Sequence, residues 1–147
     1  MSNKKGIKIM KGGVCTAVGV VGAVVASWFG GWDTAFVTLF VCMVLDFVSG
    51  LLLAGVWHKS TKSQNGALES RAGYKGLCRK AMILVFVLVA YRLDLMIGVD
   101  YVRNGVIIAF TLNELISLIE NAGLMGVPVP KVITKAIDIL QEKSDVA

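Results

Sequence analysis

Apolar residues fill four stretches of the chain, each close to the length that a membrane-spanning helix needs. The hydrocarbon core of a bilayer is about 30 Å thick, so a helix requires roughly 20 apolar residues to cross it. The stretches cover residues 14–32, 34–57, 81–99 and 105–124. The fourth contains several polar side chains, whereas the first three are almost wholly apolar. The pattern therefore predicts an all-α membrane protein with three to four transmembrane helices.

The segments between these stretches are typical of turns, loops and a short tail. Residues 30–33 predict a tight hairpin turn, and the polar residues 58–80 predict a basic loop. Pro128 and Pro130 end the fourth stretch because proline cannot continue a helix. From Lys131 onward, apolar residues recur at helical spacing, which predicts a short C-terminal amphipathic helix. We expect one integral membrane domain over residues 1–147, with a cytoplasmic loop at 58–80 and a cytoplasmic tail at 127–147.

Composition and charge exclude several classes of protein. The chain is 56% hydrophobic and only 17% charged, compared with about a quarter charged in soluble domains. The net charge of +5 is concentrated in residues 1–12 and in the basic loop, rather than spread over a soluble body as in a nucleic-acid-binding protein. Basic residues beside membrane spans remain cytoplasmic. We therefore expect a membrane protein with both termini inside.

The basic loop is expected to fix this orientation and to contact anionic lipid. Its basic residues are Lys59, Lys62, Arg71, Lys75, Arg79 and Lys80.

The first apolar stretch also permits an alternative interpretation, since Val24-Val25-Ala26 resembles the cleavage site of a secretory signal. Against cleavage, the apolar run continues past Ala26 through Trp28 and Phe29.

Polar residues inside the membrane stretches are the candidate functional residues, because a charge at mid-membrane costs at least about 2.5–3.5 kcal/mol. Asp46 lies in the middle of the second stretch, with Ser49 one turn later. On the fourth stretch, five polar residues fall on one strip about 120° wide at 100° per residue: Asn113, Glu114, Ser117, Glu120 and Asn121. These residues either line water in an oligomer or form a polar seam between helices.

Small residues at four-residue spacing indicate close helix packing and self-association. They are Gly19, Gly22, Ala26 and Gly30 on the first stretch, and Gly50 and Ala54 on the second.

The three cysteines and the single histidine have no metal-ligand spacing, and no catalytic constellation can be assembled. We therefore expect no enzymatic activity, no catalytic residue, no cofactor and no metal site.

Four motifs together resemble the phage lysis and toxin-secretion holin family. They are Asp46 to Gly50, Gly73 to Leu77 with Arg79-Lys80, Asn113 to Asn121, and Gly126 to Lys131. The series of Asn-Glu, Ser and Glu-Asn followed by Gly-x-Pro-x-Pro is the specific part. The resemblance covers roughly residues 37–140.

This resemblance implies a small protein that accumulates in the bacterial inner membrane, oligomerises and opens lesions at a timed moment. An endolysin or a toxin would then leave the cytoplasm, and the endolysin would lyse the host cell. The implied partners are further copies of the chain and membrane lipid, with functional coupling to an endolysin and an antiholin as a further candidate; nucleic acid is not among them. From the residues alone, a small oligomeric ion or solute channel without a lytic role is the alternative.

Overall fold

The computed structural model describes residues 2–60 and 70–145, and the side chains of residues 13–60 and 70–142. All regular structure in these ranges is helical, as the sequence predicts. The five α-helices are α1 (Ser2–Trp28), α2 (Thr34–Leu52), α3 (Ser70–Ile97), α4 (Val102–Met125) and α5 (Lys131–Asp145). A single turn of π-helix, Leu53–Trp57, extends α2 at its C-terminal end.

The chain divides into two compact units, and α1 belongs to the first of them, residues 1–33. Helix α1 ends at Trp28, where the backbone carbonyl of Ala26 accepts hydrogen bonds from the N–H groups of Phe29 and Gly31. Gly30 and Gly31 have φ angles of 84° and 96°, which favour glycine because it has no Cβ. The turn expected at residues 30–33 is thus made by two left-handed glycines.

The second unit, residues 34–147, is a bundle organised around α4. Helix α4 packs against α2, α3 and α5, whereas α2 and α3 contact each other less extensively. The largest fully buried side chains come from three helices and the π-helical turn: Leu39, Leu53, Val87 and Ile107. The central position of α4 brings polar as well as apolar side chains into the interior, since Arg103, Glu114 and Asn121 are buried on it.

The bundle buries charges and exposes apolar side chains, which is the reverse of a soluble domain. Asp46, Asp94, Arg103 and Glu114 are all buried. Large apolar side chains cover the outside of α2 and α3, among them Val41, Val44, Phe86 and Val89. An outer surface of this kind suits contact with lipid chains.

In the described part of the chain, two helical segments are both long enough and apolar enough to cross a membrane, Thr34–Trp57 and Val102–Met125, fewer than the three to four expected. Within the described side chains, α1 contributes a shorter apolar helix, Gly13–Trp28. Helix α3 falls short because charged residues lie along it, including Lys80, Arg92 and Asp94. The sequence expectation considered residues 81–99 alone, where only Arg92 and Asp94 are charged.

The observed helix boundaries also shorten the basic loop. Residues 70–80, expected as its end, form the first part of α3. They are helical because Gly73, Gly76, Lys80, Ile83 and Val87 continue one face at spacings of three and four residues. Residues 61–69 of the loop lie outside the described residues. The other limits shift less, since α4 begins at residue 102 instead of 105 and α5 ends at 145.

A buried carboxylate closes the hairpin between α3 and α4. Tyr101, at the N-cap position of α4, makes no side-chain cap. Asp94 of α3 takes over this role, since its two carboxylate oxygens accept the backbone N–H groups of Val102 and Arg103, both at 2.9 Å. The Arg103 guanidinium in turn lies 5.9 Å from the centre of the Phe36 ring on α2. One end of the bundle is thus fixed by a cap and a cation–π contact.

We expect Asp94→Ala to destabilise the bundle by about 1–2 kcal/mol, because loss of a cap of this kind costs that much and two buried N–H groups lose their acceptor. Asp100→Ala is the matched control, since Asp100 is exposed in the same turn. The free energy of unfolding in detergent micelles measures both changes. Equal stabilities for the two variants would contradict the proposed cap.

Candidate functional site

One lysine joins the three longest helices of the bundle through two buried carboxylates. The ammonium nitrogen of Lys80 on α3 lies 2.9 Å from Asp46 Oδ2 on α2 and pairs with Glu114 Oε2 on α4. Asp46 is 5% exposed, Glu114 is 3% exposed and the Lys80 side chain is 11% exposed. The two acids therefore share one cation away from water.

An amide extends this network toward the C-terminal end of α4. Asn121 Nδ2 donates to Asp46 Oδ1 at 3.1 Å and to Ser49 Oγ at 2.9 Å. Ser49 Oγ donates in turn to the backbone carbonyl of Asp46 at 2.9 Å. Both carboxylate oxygens of Asp46 thus accept a hydrogen bond, one from α3 and one from α4. We call Asp46, Ser49, Lys80, Glu114 and Asn121 the polar network.

Helical spacing brings these residues together. Asp46, Ser49 and Gly50 lie within one turn of α2, while Glu114 and Asn121 lie two turns apart on one face of α4. A Cβ atom added at Gly50 would lie 3.9 Å from Asn121 Nδ2, an ordinary van der Waals distance, so the amide lies beside this glycine of α2. On α3, Gly76 lies one turn before Lys80 and close to the Phe47 ring. Small residues thus flank the network on two helices.

The polar strip of α4 divides into two halves. Glu114 and Asn121 are buried in the network, Ser117 is half-buried, and Asn113 and Glu120 are exposed on the outer side. The division follows from the width of the strip, since its edges lie about 120° apart around the helix and cannot both face α2. The sequence placed these five residues together, whereas the structure assigns them to two surfaces.

Among the basic residues, Lys80 departs from its expected place. It was grouped with lipid-facing residues, but its side chain points into the bundle because two carboxylates lie within reach there. Lys59 is exposed, as are Arg71, Lys75 and Arg79, which follow one another at four-residue spacing along α3. We call these last three the basic stripe. Lys62 lies outside the described residues.

The small residues of α1 and α2 have different surroundings. A Cβ atom at Gly19 or Gly22 would meet nothing within 4 Å, so this face of α1 is open. Ala26 is buried, and Gly30 lies beyond the end of α1, in the turn. Ala54 is buried in the π-helical turn that follows α2.

Sequence analysis missed three charged residues that hold the bundle together. Lys80 was not recognised as the partner of Asp46 and Glu114, and Asp94 and Arg103 were only counted as charges. The missing signal was the need of each intramembrane acid for a partner, which points to a cation on a neighbouring helix. No group of three or more His, Cys, Asp or Glu side chains that could hold a metal occurs in the described part of the chain. The network is suited to compensating part of the buried negative charge and linking the helices of the bundle.

Comparison with known proteins identifies the family of the chain. Residues 23–142 match the bacteriophage holin family, a longer match than the resemblance over residues 37–140. An uncharacterized protein of Listeria innocua is 38% identical over 124 residues, which cover 84% of this chain and 83% of that protein. An uncharacterized protein of Halalkalibacterium halodurans is 36% identical over 128 residues, covering 83% and 89% of the two chains.

A phage protein lies among the more distant relatives. A protein of Bacillus phage phi105 named as a probable holin is 26% identical over 108 residues, which cover 73% of this chain and 74% of the phage protein. No solved structure matches the chain. Because the family match extends over residues 23–142, including every residue of the polar network, the chain belongs to the bacteriophage holin family.

Proposed function

We propose that the protein is a holin that accumulates in the bacterial inner membrane, oligomerises and forms lesions at a timed moment. The lesions release an endolysin, or a toxin, from the cytoplasm. The observation that carries this proposal is the family match over residues 23–142, supported by the phage relative named as a probable holin. A bundle with an apolar exterior and buried charges supports a site of action within the membrane.

The proposed topology has four membrane crossings with both termini in the cytoplasm. Helices α2 and α4 meet the requirements of length and apolarity, and α3 is paired with them through Lys80 and Asp94. Helix α1 would cross with help from residues on either side of its apolar part. The basic stripe would lie at the inner surface, where anionic lipid headgroups attract it.

The polar network is proposed to act as a latch in the single bundle. While Lys80 pairs with Asp46 and Glu114, the acids do not face lipid and the bundle persists harmlessly in the membrane. Past a critical density, bundles assemble, the network rearranges and its polar groups face water in the lesion. The delay before lesion formation would then depend on the stability of the network.

Induced expression in a bacterium tests the function directly. We expect a period of unaffected growth, then an abrupt loss of membrane potential, with cell lysis only when a cell-wall hydrolase is co-expressed. Undisturbed potential and growth at full accumulation would contradict the proposal. Stable, selective single-channel currents without loss of viability would instead support the ion or solute channel.

The latch predicts that Lys80→Met shortens the delay before depolarisation. Breaking a buried ion pair costs about 3–5 kcal/mol, because the remaining charges lose their partner. Adding Asp46→Asn and Glu114→Gln to Lys80→Met removes those charges and is expected to lengthen the delay again. Lys135→Met, at an exposed lysine of α5, is the control. A wild-type delay for Lys80→Met, at equal accumulation in the membrane, would contradict the latch.

The basic stripe predicts the orientation of the bundle. Replacing Arg71, Lys75 and Arg79 together with serine removes three positive charges beside a membrane segment, so a fraction of molecules should insert the other way round. A reporter enzyme fused to the C-terminus, active on only one side of the membrane, measures that fraction. Serine at Lys131, Lys135 and Lys143 serves as the matched triple variant, and it should leave the orientation unchanged. Equal orientation in both triple variants would show that the stripe has no such role.

A further inference from the structure

Helices α3 and α4 carry exposed charges of opposite sign at the same height in the bundle. The register between them is fixed at two points: the Phe86 and Phe110 ring centres are 6.0 Å apart, and Asp94 caps α4 at Val102 and Arg103. A short turn joins the two helices, so they run antiparallel. Each residue further along α4 therefore lies level with one residue earlier on α3. Ten residues beyond Phe110 is Glu120, and ten residues before Phe86 is Gly76.

Glu120 therefore lies level with Gly76, between Lys75 and Arg79 of the basic stripe. All three charged side chains are exposed, and none forms an ion pair with another residue in the described ranges. Because the charges share one height but do not pair, Glu120 and the stripe lie on different faces of the bundle. A carboxylate about 8 Å from the membrane end of α4, at 1.5 Å per residue, is costly to leave facing lipid.

The face of α4 around Glu120 also permits close packing. Ala109, Asn113, Glu120 and Gly123 are exposed on it together with Ile116, and a Cβ atom at Gly123 would meet nothing within 4 Å. Small and polar residues of this kind typify contacts between helices in membranes. The basic stripe, in contrast, is on the outer side of the N-terminal part of α3, opposite Gly76 and Lys80. The bundle thus presents two complementary surfaces in different directions.

We propose that a second copy of this chain occupies the Glu120 face, so that Glu120 of one bundle pairs with Lys75 and Arg79 of the next. Contact between two different faces is heterologous, and its repetition closes into a ring when the rotation between neighbours permits. The anionic headgroups that hold the stripe in a single bundle are displaced by Glu120 on assembly. This inference deepens the lesion-forming function and rests on its self-association step.

Complementary charge reversals in two populations test the interface. Copies with Glu120→Lys, and separately copies with Lys75→Glu and Arg79→Glu, place like charges against each other at every contact. We expect energy transfer between C-terminal fluorophores in bacterial membranes to fall roughly tenfold for each variant alone. When both variants are expressed together, every contact between unlike copies is again attractive, so energy transfer should return to near the wild-type value.

The mixture also controls for folding, because recovery requires both variants to insert in the same orientation. Glu142→Lys, and separately Lys135→Glu, reverse exposed charges on α5 and should leave energy transfer at the wild-type value. Glu120→Gln, which removes the charge without reversing it, is expected to give an intermediate loss. Wild-type transfer by either reversed variant alone would overturn the interface. So would a lack of recovery in a mixture whose C-terminal reporter enzyme shows the wild-type orientation for both variants.

Membrane potential recorded in the same cells separates the two proposals. Suppose that energy transfer falls for each reversed variant alone and returns in the mixture, while wild-type copies never depolarise the membrane. In that case the interface stands and the lesion-forming function fails. If wild-type copies depolarise the membrane while the reversed variants assemble normally, the function stands and this interface is wrong.

Discussion

The two acids buried side by side in an apolar bundle need a cation, and Lys80 supplies it. Without Lys80, Asp46 and Glu114 would face each other and the surrounding hydrocarbon with no compensating charge, a costly arrangement. With it, one side chain connects α2, α3 and α4, and Asn121 binds the remaining oxygen of Asp46. The register of the three helices follows from these contacts, together with the Asp94 cap at the other end of α3.

The pairing of buried charges also explains why the two edges of the polar strip on α4 have different surroundings. One polar edge of the helix forms hydrogen bonds within the network. The other polar edge is exposed on the outside of the bundle. Under the proposed function, a single bundle persists in the membrane until its exposed polar edge meets a second copy.

The sequence predicted most of the helices and several network members, and the reasons are physical. Apolar length is sufficient to predict α2 and α4, and the cost of burying a charge predicts that Asp46 and Glu114 face protein or water instead of lipid. The sequence pattern could not predict that α3 begins at Ser70, because the glycines and lysines there are typical of a loop. They form a helix that packs against Phe47 and Asp46. The sequence pattern also grouped Lys80 with its exposed neighbours, since composition does not show which way a side chain points.

Lys80 bridges two carboxylates inside the bundle. Solid-state NMR of the protein in lipid bilayers measures this bridge directly, through the dipolar coupling between labelled Lys80 Nζ and the side-chain carboxyl carbons of Asp46 and Glu114. We expect a coupling to both carbons, as for directly hydrogen-bonded groups, and little transfer of magnetisation from water to Nζ. A Lys80 ammonium coupled to neither carboxyl and in contact with water would contradict it.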